Sequence, residues 1–127
     1  MNEVRVKSRQ FLELISNGIP TSYEGDTFDD TVDNYQRVDL LPSVIEDIDL
    51  EREVKSYILQ ITLYYKANAG TYEVEKRAEE IVTHFADGTQ IEECLTVRGV
   101  PEIRNLGTIN NHIVRIVTVN LFENVPL

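Results

Sequence analysis

The sequence has no tryptophan, a single cysteine and few basic residues. Its 127 residues include 12 Lys and Arg against 22 Asp and Glu, which gives a formal net charge of −10 at pH 7. So small a share of cations disfavours nucleic-acid binding through phosphate contacts and attachment to anionic membranes. Because Cys94 stands alone, no internal disulfide can form, and a reducing compartment is favoured over secretion.

Long apolar runs are also missing from the sequence. No stretch approaches the roughly 20 residues that a membrane-spanning helix needs. Residues 1–10 carry charges where a signal peptide would have its apolar core. A composition that is 42% hydrophobic is ordinary for a globular protein of this length. We therefore expect a single domain over residues 1–127 with no targeting or membrane segment.

The sequence contains none of the common short motifs of enzymes. GxSxG, P-loop and GxGxxG patterns do not occur. The sequence therefore lacks the usual oxyanion-binding motif of acyl transfer and the usual phosphate-binding motifs of nucleotide chemistry.

The residues that could form a metal site do not have the required spacing. His84, expected in the last turn of a helix, and His112 do not lie at zinc-ligand spacing. Glu92 and Glu93 directly precede Cys94, and their negative charge disfavours a thiolate nucleophile, so Cys94 is interpreted as a small packing residue. A calcium loop begun at Asp47 fails at its glycine and final acidic positions. We expect no enzyme, metal or cofactor.

Periodicity predicts two helices and four strands. Apolar residues recur at helical spacing over 3–17 and again after Thr71, an N-cap candidate, up to a stop at Gly88. Strands are predicted by alternation or by β-branched runs, and residues 99–110 are interpreted as a turn or extended loop. The four predicted strands cover 35–41 (ending at Pro42), 57–65, 91–97 and 112–122.

The order α-β-β-α-β-β predicts an α+β fold: an antiparallel or mixed four-stranded sheet packed on one face by two helices. The last strand is apolar on both faces, which indicates a central or covered position. About half of the six tyrosines are expected in the core. Residues 21–55 are interpreted as a long acidic loop region, and residues 21–53 hold 11 acids against two arginines. This acidic region is either a solvent-exposed surface without a partner or a negatively charged surface that faces a partner or a channel.

Most of the chain resembles the tail terminator and minor tail proteins of long-tailed bacteriophages. The resemblance is carried by YILQITLYYKANAG, TYEVEKRAEEIVTHF, DGTQI and HIVRIVTVNLFEN, with Phe85 and Gly88 matching an F-x-x-G element. The opening helix and the Pro-containing segment IPTSYEGD follow the same order of elements. SYEGD departs from the family, where a Trp-rich segment is frequent.

The resemblance implies a virion structural protein that assembles in the host cytoplasm. It implies a ring, typically of six subunits, that caps the finished tail tube, halts polymerisation and contacts the head connector. Partners would be further copies of the chain, the major tail tube protein and the connector, with DNA only passing through. We expect loop 26–33 and the region from Arg98 to Asn111 to face neighbouring subunits or the tube. The candidate interface residues are Asp26, Asp29, Asp30, Asp33, Arg98 and Arg104.

Three other interpretations fit the residues. An acidic adaptor would use the same negative charge to capture a basic partner. Another phage neck or tail-completion protein would share the fold. A small hydrolase or isomerase would need a pocket with two carboxylates of separated pKa values.

Overall fold

The described residues form two helices and seven strands. The computed structural model describes residues 2–15, 19–23, 34–47, 52–67 and 70–126. In chain order the elements are α1 (Asn2–Glu13), β1 (Thr21–Tyr23), β2 (Tyr35–Asp47), β3 (Arg52–Lys66), α2 (Tyr72–His84), β4 (Gln90–Glu92), β5 (Leu95–Val97), β6 (Glu102–Ile109) and β7 (His112–Pro126).

The seven strands form one mixed sheet with β7 near its centre. The strand order is β1-β2-β3-β7-β5-β4, and β6 also pairs with β7. One edge of β7 runs antiparallel to β3 along its full length. The other edge is shared, because β6 pairs with residues 112–118 and β5 with residues 121–123. Only β1 lies parallel to its neighbour β2. The predicted central position of the last strand is confirmed.

Both helices belong to one core on one face of the sheet. From β7, Val117, Val119 and Leu121 join a buried cluster that also holds Val4 and Leu12 of α1. The predicted stripe of α2 is confirmed at Val74, Ala78, Ile81 and Phe85, all at most 1% exposed. No helix in the described ranges is long and apolar enough to cross a membrane.

The boundaries of α2 follow the predicted signals, whereas α1 ends at Glu13, before the predicted end of the first helix at residue 17. Thr71 is the N-cap residue of α2, although its side chain makes no capping hydrogen bond. After α2, Gly88 has φ +85°, a conformation that favours glycine, and its N–H donates to the carbonyl of Val97 at 2.9 Å. Gly88 therefore turns the chain from the helix back towards the sheet.

The class α+β is confirmed, but the four-stranded sheet and its strand order are wrong. Thr21–Tyr23 is a strand rather than part of a loop. β2 continues past Pro42 to Asp47, through residues that were interpreted as part of the acidic loop region. A proline is tolerated there because β1 pairs with β2 only as far as Val38, and because the register shifts between Pro42 and Ile45.

Two further differences lie after α2. Residues 102–109 form β6 rather than a loop. The strand predicted over 91–97 is two short strands, β4 and β5, which pair antiparallel around a turn. Cys94 lies in that turn and is exposed, so its interpretation as a packing residue is wrong. Of the tyrosines, Tyr35, Tyr57 and Tyr65 are buried, half of the six as expected.

Candidate assembly interface

Strand β6, which forms a hairpin with the central strand β7, is exposed along its whole length. Asn110 and Asn111 join the two strands with positive φ of 48° and 67°, as a two-residue type I′ turn requires. All eight residues of β6 are exposed, and β6 pairs with β7 alone among the described strands. A free edge of this length is a template for pairing with another chain.

The register of the hairpin separates its two faces. Ile103 lies opposite Val117, a core residue, and is therefore on the face that carries the helices. Arg104 lies opposite Ile116, and Ile109 opposite His112, on the other face of the sheet. Ile109 remains 44% exposed. The hairpin therefore offers apolar surface on both faces, with Arg104 on the face away from the helices.

A shallow groove of about 1000 Å³ runs along α2, from the end of α1 to β6. Exposed apolar side chains line it, with Leu14 at 72% and Tyr72 at 69% exposure. Its lining also includes three glutamates of α2, Glu75, Glu79 and Glu80. Lys76 and Arg115 belong to the same lining, so charges of both signs border an apolar groove, which suits a partner that is partly apolar.

Arg115 of β7 fixes the wall of the groove next to β6. Its side chain is buried, and its guanidinium donates to Asn105 Oδ1 of β6 at 2.8 Å. The same guanidinium lies 3.5 Å from Glu75 Oε1 of α2. Arg115 thereby connects β6 to α2, which holds the hairpin at a set distance from the helix.

A second buried arginine holds the other side of α2. The Arg77 guanidinium donates to the carbonyl of Ile15 at 2.5 Å and to Gln36 Oε1 at 3.0 Å, and lies 3.6 Å from Glu80. Burial lowers the pKa of Arg77, opposed by the nearby Tyr65 and Glu80. Burial also raises the pKa of Tyr65, opposed by Arg77. This network joins α1, β2 and α2 behind the groove.

Both histidines pack against aromatic side chains. His84 lies in the last turn of α2 as predicted, stacks on Phe11 at 4.0 Å and has Nε2 2.6 Å from the Phe11 carbonyl oxygen. His112 lies edge-on to Tyr35 and Tyr64, which stack on each other at 4.6 Å. In the described ranges no three His, Cys, Asp or Glu side chains gather as metal ligands would.

The six candidate interface residues divide into two groups. Asp26, Asp29, Asp30 and Asp33 lie outside the described residues. Arg98 and Arg104 are both exposed in the region before β7. Arg98 follows β5 and stacks its guanidinium over the Phe122 ring at 4.1 Å, whereas Arg104 is within β6.

The exposed edge and the groove are the features that sequence reasoning missed. Residues 102–109 have neither alternation nor helical spacing, because the register shifts between Asn105 and Gly107. A hairpin could have been predicted from Asn110-Asn111, a pair that favours a type I′ turn and stands directly before a β-branched run. The groove arises from residues of α1, α2 and β6 that only the fold brings together.

A two-layer α+β protein with an exposed, partly apolar edge strand offers a surface for association with another chain. The chain belongs to the phage tail terminator protein family, whose model matches residues 5–118. Membership makes it a phage structural protein of tail completion, associated with the virion tail. It is a structural family rather than an enzymatic one.

Structural comparison agrees with the fold. One solved structure, of a protein whose name states no function, aligns with a TM-score of 0.71 at 14% identity and covers 94% of this chain and 92% of that chain. Among curated proteins none matches this chain. This likeness shows that the two proteins share a fold.

Proposed function

We propose that this protein closes the finished tail tube. Copies of it form a ring on the end of the tube, stop further addition of the tube protein and present a surface to the head connector. Family membership over residues 5–118 is the observation that carries the proposal. Six subunits is the number that the resemblance implies, and assembly takes place in the host cytoplasm.

The geometry supports self-association at two places. The outer edge of β6 is long and exposed, and the groove along α2 offers apolar surface with charged residues of both signs around it. Both features would be costly to leave in water if nothing covered them, since exposed edges and apolar patches promote association. The acidic residues 21–53 would line the channel, where negative charge lets DNA slide without binding.

The test measures mass by light scattering at several concentrations, with the protein alone and with purified tail-tube rings. We expect a defined ring or tubes of arrested length capped by this protein. A protein that stays monomeric and leaves tube growth unchanged would contradict the proposal and favour the acidic adaptor.

Charge reversal in the acidic loop should separate assembly from folding. Asp29→Lys with Asp30→Lys is expected to reduce tail joining, because it replaces negative by positive charge where a subunit or the channel would face it. The thermal unfolding midpoint should stay at the wild-type value. Glu3→Lys with Glu93→Lys changes the net charge equally at exposed positions outside loop 26–33 and serves as the control. Normal head–tail joining by the loop variant would contradict a role for this loop.

A further inference from the structure

Strand β6 contains one residue more than the part of β7 that it pairs with. Asn105 lies opposite Arg115, and Gly107 lies opposite the neighbouring residue Val114, so Leu106 has no partner in β7. An extra residue in one strand of an antiparallel pair is a β-bulge. The bulge divides the eight residues of β6 into a piece of four residues before Leu106 and a piece of three after it.

Contacts within the chain hold this bulge in place. Gly107 has φ +75°, a conformation that side chains with a Cβ rarely adopt, and its N–H donates to Asn105 Oδ1 at 2.7 Å. The same oxygen accepts a hydrogen bond from the buried Arg115 guanidinium at 2.8 Å. That guanidinium also lies 3.5 Å from Glu75 of α2. The bulge is therefore built into the domain and needs no partner to form.

A regular strand at this position would be prone to open-ended association. The outer edge of β6 pairs with no described strand, and Ile103, Leu106 and Ile109 are between 37% and 44% exposed. Segments of about six or seven residues with apolar side chains and no proline are the ones that stack into extended sheets. Natural proteins commonly interrupt such edges with bulges. Both pieces of β6 are shorter than a stacking segment.

We propose that the bulge at Leu106 limits strand addition at the β6 edge, so that free copies do not grow into open-ended sheets or filaments. The proposal rests on the proposed cap, because a cap has to remain available as single copies or closed rings until the tube is complete. Each piece of β6 offers backbone hydrogen-bonding groups over too short a length to hold an added strand alone. The edge then contributes to association only where other contacts, such as those in the groove along α2, add to it.

The first experiment replaces Gly107 by two residues that differ in the φ they tolerate. A Cβ at this position meets no atom within 4 Å beyond the adjacent residues, so both side chains fit. Gly107→Val favours a regular strand over the bulge and should lower the concentration for half-association by about tenfold. Gly107→Asn is the matched control, because Asn tolerates positive φ, and it should associate like wild type. Light scattering of the full chain without tail tubes measures both.

The second experiment removes the extra residue. Deletion of Leu106 should bring the two pieces of β6 into one continuous register with β7. Electron microscopy of this variant should show sheets or filaments that the wild type does not form. Circular dichroism of freshly prepared, dilute protein checks that each variant is folded.

The outcomes separate this limit from the proposed cap. A folded Gly107→Val protein with the wild-type mass at every concentration would overturn the limit, and so would a Gly107→Asn protein that associates as strongly as Gly107→Val. A folded deletion variant without filaments would also overturn it. If both Gly107→Val and the deletion variant unfold, the bulge serves the fold and the proposed limit is wrong. If the wild type does not cap tubes but the deletion variant forms filaments, the limit holds and the cap is wrong.

Discussion

Val117→Asp is expected to abolish cooperative folding of the domain. Val117 has no exposed surface and lies in the central strand, opposite Ile61 of β3 and Ile103 of β6. An unpaired carboxylate there loses its hydration with no partner in an apolar core, which costs several kcal/mol. The total stability of a domain this size is only about 5–15 kcal/mol. Circular dichroism and urea unfolding should show a disordered or aggregated chain.

Two control variants distinguish core disruption from a general effect of added charge. Val117→Ala removes two methyl groups without adding polarity, and should cost about 2 kcal/mol while leaving the protein folded. Thr108→Asp adds the same charge at an exposed position of β6 and should leave the urea midpoint nearly unchanged. A Val117→Asp protein with a cooperative, wild-type transition would show that β7 is not central to the core.

Elements with strong periodicity were predicted from the sequence because their burial repeats regularly. The stripe Val74, Ala78, Ile81 and Phe85 indicated α2, and its burial in one core confirmed it. The β-branched residues on both faces of 112–122 indicated a central strand, which β7 is. In both cases the pattern of buried residues lies within one continuous element, so local sequence was sufficient.

Local sequence patterns did not predict the strands that depend on pairing with residues far away in the chain. β1 has three residues and exists because it pairs with β2, which a local pattern cannot show. β2 passes through Pro42, a residue that ordinarily ends a strand, because a register shift accommodates it. β6 is exposed on both faces, so no alternation marks it. The edge that we propose as the contact between copies was therefore the part least visible in the sequence.

The hydrophobic periodicity also did not predict that two arginines are buried. Arg77 and Arg115 are each less than 10% exposed, although charged residues are ordinarily at the surface. Their partners lie far away in sequence: Ile15 and Gln36 for Arg77, and Asn105 and Glu75 for Arg115. These contacts fix α2 against α1, β2 and β6, and so shape the groove between them.

Arg77→Met is expected to destabilise the protein by about 2–4 kcal/mol. The substitution keeps an apolar stem of similar length but removes the donors to the Ile15 carbonyl and to Gln36 Oε1, whose side chain has no exposed surface. A buried acceptor left without a donor costs about 1–3 kcal/mol, and breaking a buried ionic network is similarly costly. The urea midpoint should fall, and hydrogen exchange should rise at the end of α1, which loses its tie to α2.

A second substitution tests whether lost hydrogen bonds cause that effect. Replacing both partners by apolar groups leaves fewer unsatisfied atoms, so Arg77→Met with Gln36→Leu should cost less than the sum of the single variants. Arg77→Lys should recover only part of the stability, since one ammonium cannot reproduce the planar fork that reaches Ile15 and Gln36 together. Additive costs in the double variant would show that Arg77 and Gln36 are not energetically coupled, and an Arg77→Met midpoint equal to wild type would show that the network contributes nothing to stability. In that case the packing of α2 on the sheet alone would have to hold the groove in place.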